Sequence, residues 1–66
     1  MMTTKPSLGV IVPIFNEEKY LEESVGRLLE INAISQIILV DDNSNDGSLE
    51  IAKKLEEKNK IIQVLK

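Results

Sequence analysis

The 66 residues contain neither cysteine nor histidine. Within them this excludes disulfides, thiolate zinc sites, cysteine nucleophiles and histidine bases. No apolar run approaches the roughly 18 to 20 residues that a membrane span requires. The opening Met1-Met2-Thr3-Thr4-Lys5-Pro6 lacks the apolar core of a signal peptide. Neither of the phosphate-cradling glycine patterns, G-x-G-x-x-G or G-x-x-x-x-G-K-[ST], occurs. A net charge of −3 argues against a nucleic-acid or anionic-membrane surface. The expectation is a soluble, cytoplasmic chain, with the cytoplasmic membrane face as the alternative location. One small domain is the most that this length allows, and such a domain buries only about 60% of the surface its unfolded chain exposes.

What the chain does have is an apolar run that ends in acid. Ile37-Ile38-Leu39-Val40 leads straight into Asp41-Asp42, then into Asn43-Ser44-Asn45-Asp46-Gly47. A short apolar run closed by turn formers reads as a buried strand, of the kind found in parallel sheets. Its carboxylates then lie at the carboxyl end, where open α/β sheets bind ligands.

Around that stretch the chain reads β-α-β-α-β. Residues 1–6 are expected to be a frayed end, and Leu8 to Ile14 a first strand. Pro13 cannot donate to a ladder, so it belongs at the strand's end or on an unpaired side. Asn16 is a candidate N-cap for a helix from about Glu17 to about Asn32, with Glu17 and Glu18 suiting its dipole. Leu21, Val25, Leu28 and Leu29 make one apolar stripe on it. Gly26 costs about 1 kcal/mol against alanine in a helix, which suggests close packing on the sheet. Asn32 to Ser35 is a short connection and Gln36 to Asp41 the second strand. Asp46 is a candidate cap for a second helix, Gly47 to Asn59, and Ile61 to Leu65 is a third strand.

This alternation implies a three-stranded parallel sheet, half of a Rossmann-like α/β fold, with both helices mainly on one face. The first two strands are apolar on both faces, so two helices leave one face uncovered. A missing partner is expected, whether further chain or a second subunit in a homo-oligomer.

Few side chains here can carry chemistry. Asp41 and Asp42 point in opposite directions along a strand, and Asp41 shares its face with Leu39. An acceptor-only carboxylate at this edge suits a base's ring N–H or a ribose hydroxyl, or else simply ends the strand. Phe15, just beyond the first strand, can stack on a base, worth about 1–3 kcal/mol, or plug the sheet edge. The plain reading of Glu17 is first-turn compensation of the helix dipole only. With Glu17, Glu18 and Asp46 at the two helix starts, the edge repels a bare diphosphate and suits the nucleoside end of a ligand.

Taken together, Val12-Pro13-Ile14-Phe15-Asn16-Glu17-Glu18 and Val40-Asp41-Asp42-Asn43-Ser44-Asn45-Asp46-Gly47-Ser48 resemble the opening of a family 2 glycosyltransferase. That family opens with V-P-x-[YF]-N-E-E and follows with V-D-D-x-S-x-D-G-[ST]. The resemblance runs from about Leu8 to Lys66 and extends to dolichyl- and polyprenyl-phosphate sugar transferases. It implies a GT-A fold, a hexosyltransferase activity and a UDP- or GDP-linked nucleotide-diphospho-sugar as partner. Carried over by position, it makes Pro13 and Phe15 borders of the base and Glu17 a neighbour of the nucleotide. It likewise makes Leu39 a backbone contact, Asp41 the carboxylate on the base's ring nitrogen, and Asp42 its pocket neighbour.

The resemblance also implies Mg²⁺ or Mn²⁺ held by an Asp-x-Asp motif, and a later catalytic carboxylate. Neither follows Gly47 here. Only Glu50, Glu56 and Glu57 remain, expected on an exposed helix face, so no catalytic residue is assigned. Residues 1–66 thus read as a single, incomplete nucleotide-binding segment that should not transfer sugar alone. Two other readings stand beside this one. The first is a noncatalytic module docking through the bare sheet face. The second is a receiver-like Mg²⁺ site, disfavoured because a strand and helix precede the acidic pair and no aspartate follows Asp46.

Overall fold

The computed structural model describes residues 8–66, so the end expected to fray, residues 1–6, lies outside the described residues. Strands β1 (Leu8–Ile14), β2 (Ile34–Asp41) and β3 (Ile62–Leu65) alternate with helices α1 (Leu21–Leu29) and α2 (Ser48–Lys58). The three strands are parallel, in the order β1-β2-β3. The expected α/β architecture is what forms.

The period-2 alternation of the strands decides which residues enter the core. Val10, Val12 and Ile14 of β1 lie opposite Ile37, Leu39 and Asp41 of β2. Ile14, Ile37 and Leu39 are wholly buried, together with Leu21 and Val25 of α1 and Ala52 of α2. Both helices therefore cover the same face. Each buried Leu, Ile or Val stabilises the fold by about 1.5–3 kcal/mol, which makes this cluster the main favourable contribution.

The other face is bare. Ile11 is 68% exposed and Leu65 45% exposed. Pro13 sits in β1 at the sheet edge, where its missing N–H costs no ladder bond.

Several boundaries differ from expectation, each for a physical reason. Helix α1 starts at Leu21 instead of about Glu17, with no side-chain cap, and Asn16 is not its N-cap. Asn16 instead has a left-handed backbone, φ 49°, which cannot begin a helix. Glu17 to Tyr20 form a turn, closed by the Tyr20 and Leu21 amides donating to the Glu17 carbonyl at 3.0 and 2.9 Å. At its far end α1 tightens, with Glu30 and Ile31 donating three residues back to Arg27 and Leu28. It stops short of Asn32.

Strand β2 begins at Ile34, inside the expected connection. A register shift between Leu8 and Gly9 lets both Ile34 and Ile37 turn inward. Glu56 is half-buried instead of lying on a free helix face, and its Oε2 accepts from the Val64 amide at 2.9 Å. It thereby satisfies an amide on β3, at the other edge of the sheet.

Gly26 does not mark close packing. A Cβ built there meets nothing within 4 Å. Gly26→Ala should therefore raise stability by about 0.5–1 kcal/mol, read as a higher urea midpoint at unchanged slope. A lower midpoint would mean that the helix surface at Gly26 is occupied after all.

Candidate functional site

The loop after β1 and the loop after β2 meet at the carboxyl edge of the sheet, and each supplies what the other's backbone lacks. Three consecutive amides of the first loop donate to side chains of the second. Asn16 N reaches Ser44 Oγ at 3.0 Å, Glu17 N reaches Ser48 Oγ at 2.7 Å and Glu18 N reaches Asp46 Oδ2 at 3.1 Å. Two amides of the second loop answer. Asn45 N donates to Asn16 Oδ1 at 2.7 Å and Gly47 N to Glu18 Oε1 at 2.9 Å. Such backbone groups, left by the end of a strand and not yet in a helix, must find partners somewhere.

The cap of α2 is assembled from both loops. Its first recurring bond runs from Ile51 N to the Gly47 carbonyl at 3.0 Å. Asp46 Oδ1 accepts from Ser48 N at 2.9 Å, so Asp46 does cap the helix, from one position before the usual one. Glu18 caps the adjacent Gly47 amide from the other loop. A Cβ on Gly47 would lie 3.1 Å from Glu18 Cδ and Oε2, so glycine leaves room for that carboxylate.

The Asp46 carboxyl is held below the ordinary value of 3.8 first by the nearby Ser48 side chain; desolvation is the next cause and opposes this, and bonds from the Ser48 and Glu18 amides lower it further.

The adjacent acids at the end of β2 differ sharply in burial. Asp41 is 6% exposed, on the helix-covered face with Leu39. Its Oδ2 accepts from Ser44 N at 3.2 Å, and its buried Oδ1 has no partner among the described residues. Asp42 is exposed. Its amide donates to the Ile14 carbonyl at 2.8 Å, which carries the β1–β2 ladder one step past the strand ends. This bond puts Asp42 beside Phe15, which is 53% exposed. Of the residues singled out from sequence, Pro13, Phe15 and Asp42 are exposed at this edge, while Asp41 and Leu39 lie beneath it and Glu17 is half-buried in the loop.

Sequence reasoning did not find Ser44, Asn45 and Ser48 as partners of the first loop. The spacing of the two motifs was visible, but bonds spanning 28 to 31 residues leave no local signature. Nor do the acidic groups form a metal cage. Among the described residues no three His, Cys, Asp or Glu side chains converge to hold an ion.

Comparison with known proteins agrees with the motifs. The profile described as glycosyl transferase family 2 matches residues 9–66. The chain is 35% identical to a dolichol-phosphate mannosyltransferase of Mycosarcoma maydis, over 96% of this chain and 24% of the relative. It is 41% identical to glycosyltransferase GlyG of Streptococcus pneumoniae, over 88% of this chain and 20% of the relative. A 4,4'-diaponeurosporenoate glycosyltransferase of Staphylococcus haemolyticus is 38% identical over 79% of this chain and 14% of its own length. The chain thus spans a quarter or less of these relatives.

The lowered Asp46 carboxyl sets a pH dependence for the loop junction. A carboxyl whose value falls on folding stabilises the folded form above its unfolded value, and that contribution is lost as pH drops through the folded value. Below pH 3.8 the Glu18 and Ser48 amide resonances should therefore move together with the Asp46 carboxyl. An Asp46 carboxyl titrating above 3.8 in an NMR pH series would contradict this geometry.

Proposed function

The chain belongs to glycosyl transferase family 2, and we propose that its carboxyl sheet edge binds the nucleoside part of a nucleotide-diphospho-sugar whose sugar is moved to an acceptor. The observation that carries this reading is the pairing of exposed Phe15 and exposed Asp42 at adjacent strand ends, tied through Asp42 N and the Ile14 carbonyl. An aromatic face stacks on a base, and a neighbouring carboxylate accepts from its ring N–H. Pro13 borders the same exposed surface. Leu39, with its side chain wholly buried, contributes backbone only.

The two acids divide the work. Asp42 presents an open carboxylate to the ligand. Asp41 supports it from beneath through Ser44 N, since its remaining oxygen is shut away from an approaching donor. Glu17 lines the loop beside Phe15. The start of α2 has little left for phosphate, because Gly47 N and Ser48 N already bond to carboxylates. This supports a nucleoside subsite whose diphosphate is held by other groups. UDP-linked and GDP-linked donors fit equally.

One observation favours a second reading, a module docking through its sheet face: Ile11 is 68% exposed there.

An NMR titration of the 66-residue chain with UDP and with GDP separates the two. Nucleoside binding predicts shifts confined to Phe15, Glu17, Leu39, Asp41 and Asp42, weakened by Phe15→Ala and Asp42→Asn. Stacking worth about 1–3 kcal/mol corresponds to roughly a 5- to 150-fold loss for Phe15→Ala. A folded chain with no shifts at millimolar nucleotide would refute the reading. Concentration-dependent shifts at Ile11 and Leu65 instead would move the docking module forward.

A further inference from the structure

Phe15 and Asp42, the two exposed residues of the proposed subsite, are each followed by an asparagine with positive φ. Asn16 has φ 49° and Asn43 φ 59°, and they are the only such non-glycine residues among those described. Left-handed backbone is uncommon outside glycine and costs energy, although asparagine tolerates it better than most residues. Two such turns at matching positions of neighbouring loops call for a cause.

Asn16 does more than turn the chain. Its amide donates to Ser44 Oγ at 3.0 Å, and its Oδ1 accepts from Asn45 N at 2.7 Å. One residue thus grips two consecutive residues of the opposite loop, starting two places after Asp42. Both bonds are solvent-exposed. Water can replace either at little net loss, so they add little to global stability. Their main effect is geometric. They fix the spacing between the two loops immediately beyond Phe15 and Asp42.

We propose that Asn16 is the positioning residue of this edge, holding the Phe15 ring in register with the Asp42 carboxylate by its left-handed turn and its clasp on Ser44 and Asn45. The proposal deepens the nucleoside-subsite reading and rests on it for its functional consequence. Its geometric content stands without any ligand.

The test compares Asn16→Gly, Asn16→Asp and the unaltered chain. Glycine keeps the positive φ without strain but loses the side-chain acceptor, so the melting temperature should change little. Aspartate keeps the acceptor and tolerates the same backbone. Without nucleotide, Asn16→Gly should shift the Phe15 ring and Asp42 amide resonances and leave β1 and β2 unmoved, while Asn16→Asp restores them. With UDP or GDP, Asn16→Gly should bind about three- to tenfold more weakly and Asn16→Asp close to normally.

Unchanged Phe15 and Asp42 resonances in Asn16→Gly would overturn the proposal. So would weakened binding that simply tracks a lowered melting temperature and is not rescued by Asn16→Asp. If the unaltered chain binds neither nucleotide, the subsite reading fails by itself, and the ligand-free spectra still decide the positioning role.

Discussion

The carboxyl edge of the sheet is organised by an exchange of hydrogen bonds between two loops far apart in sequence. In a parallel β-α unit the chain leaves each strand at the same edge, and its amides there belong neither to the ladder nor to the next helix. In this chain the amides of Asn16, Glu17 and Glu18 are answered by Ser44, Ser48 and Asp46, and those of Asn45 and Gly47 by Asn16 and Glu18. Two polar motifs that look like separate turn signals are one unit in space. The amides of Glu17 and Glu18 are satisfied by the neighbouring loop, and Glu17 to Tyr20 form a turn closed on the Glu17 carbonyl before α1 begins at Leu21.

Strand periodicity does the rest. Because consecutive side chains alternate, Asp41 at the end of β2 and Asp42 just past it take different surroundings. Asp41 goes under the helices, where it braces Ser44, and Asp42 goes out to the edge beside Phe15. The same alternation sends Leu39 into the core and leaves Ile11 on the uncovered face. Exposed and buried residues are thus interleaved residue by residue along one strand.

Much of this was legible beforehand. The β-α-β-α-β order, the extent of β1, the apolar stripe of α1 and the opposite directions of Asp41 and Asp42 all follow from local periodicity, which the chain expresses strongly. The departures from the local pattern arise mostly from long-range partners. Asn16 read as an N-cap because its local context is that of a helix start; only a partner 28 or 29 residues away shows otherwise. Glu56 read as free because its bond goes to Val64, on a strand that the helix pattern says nothing about. Ile34 read as a connection because a bulge breaks the alternation. Gly26 read as a packing contact, although glycine by itself does not report what stands next to it. Motif spacing carried the family resemblance without revealing that the motifs bond to each other.

The most direct test of this account is amide hydrogen exchange at Asn16, Glu17, Glu18, Asn45 and Gly47, measured in the unaltered chain and in Glu18→Ala. The account predicts that these five amides are protected together and that Glu18→Ala loosens them as a group while Ile37 and Leu39 keep their protection. Exchange at free-peptide rates in the unaltered chain, with the β1–β2 ladder still protected, would show that the loops move independently. The reciprocal junction would then not be what organises this edge.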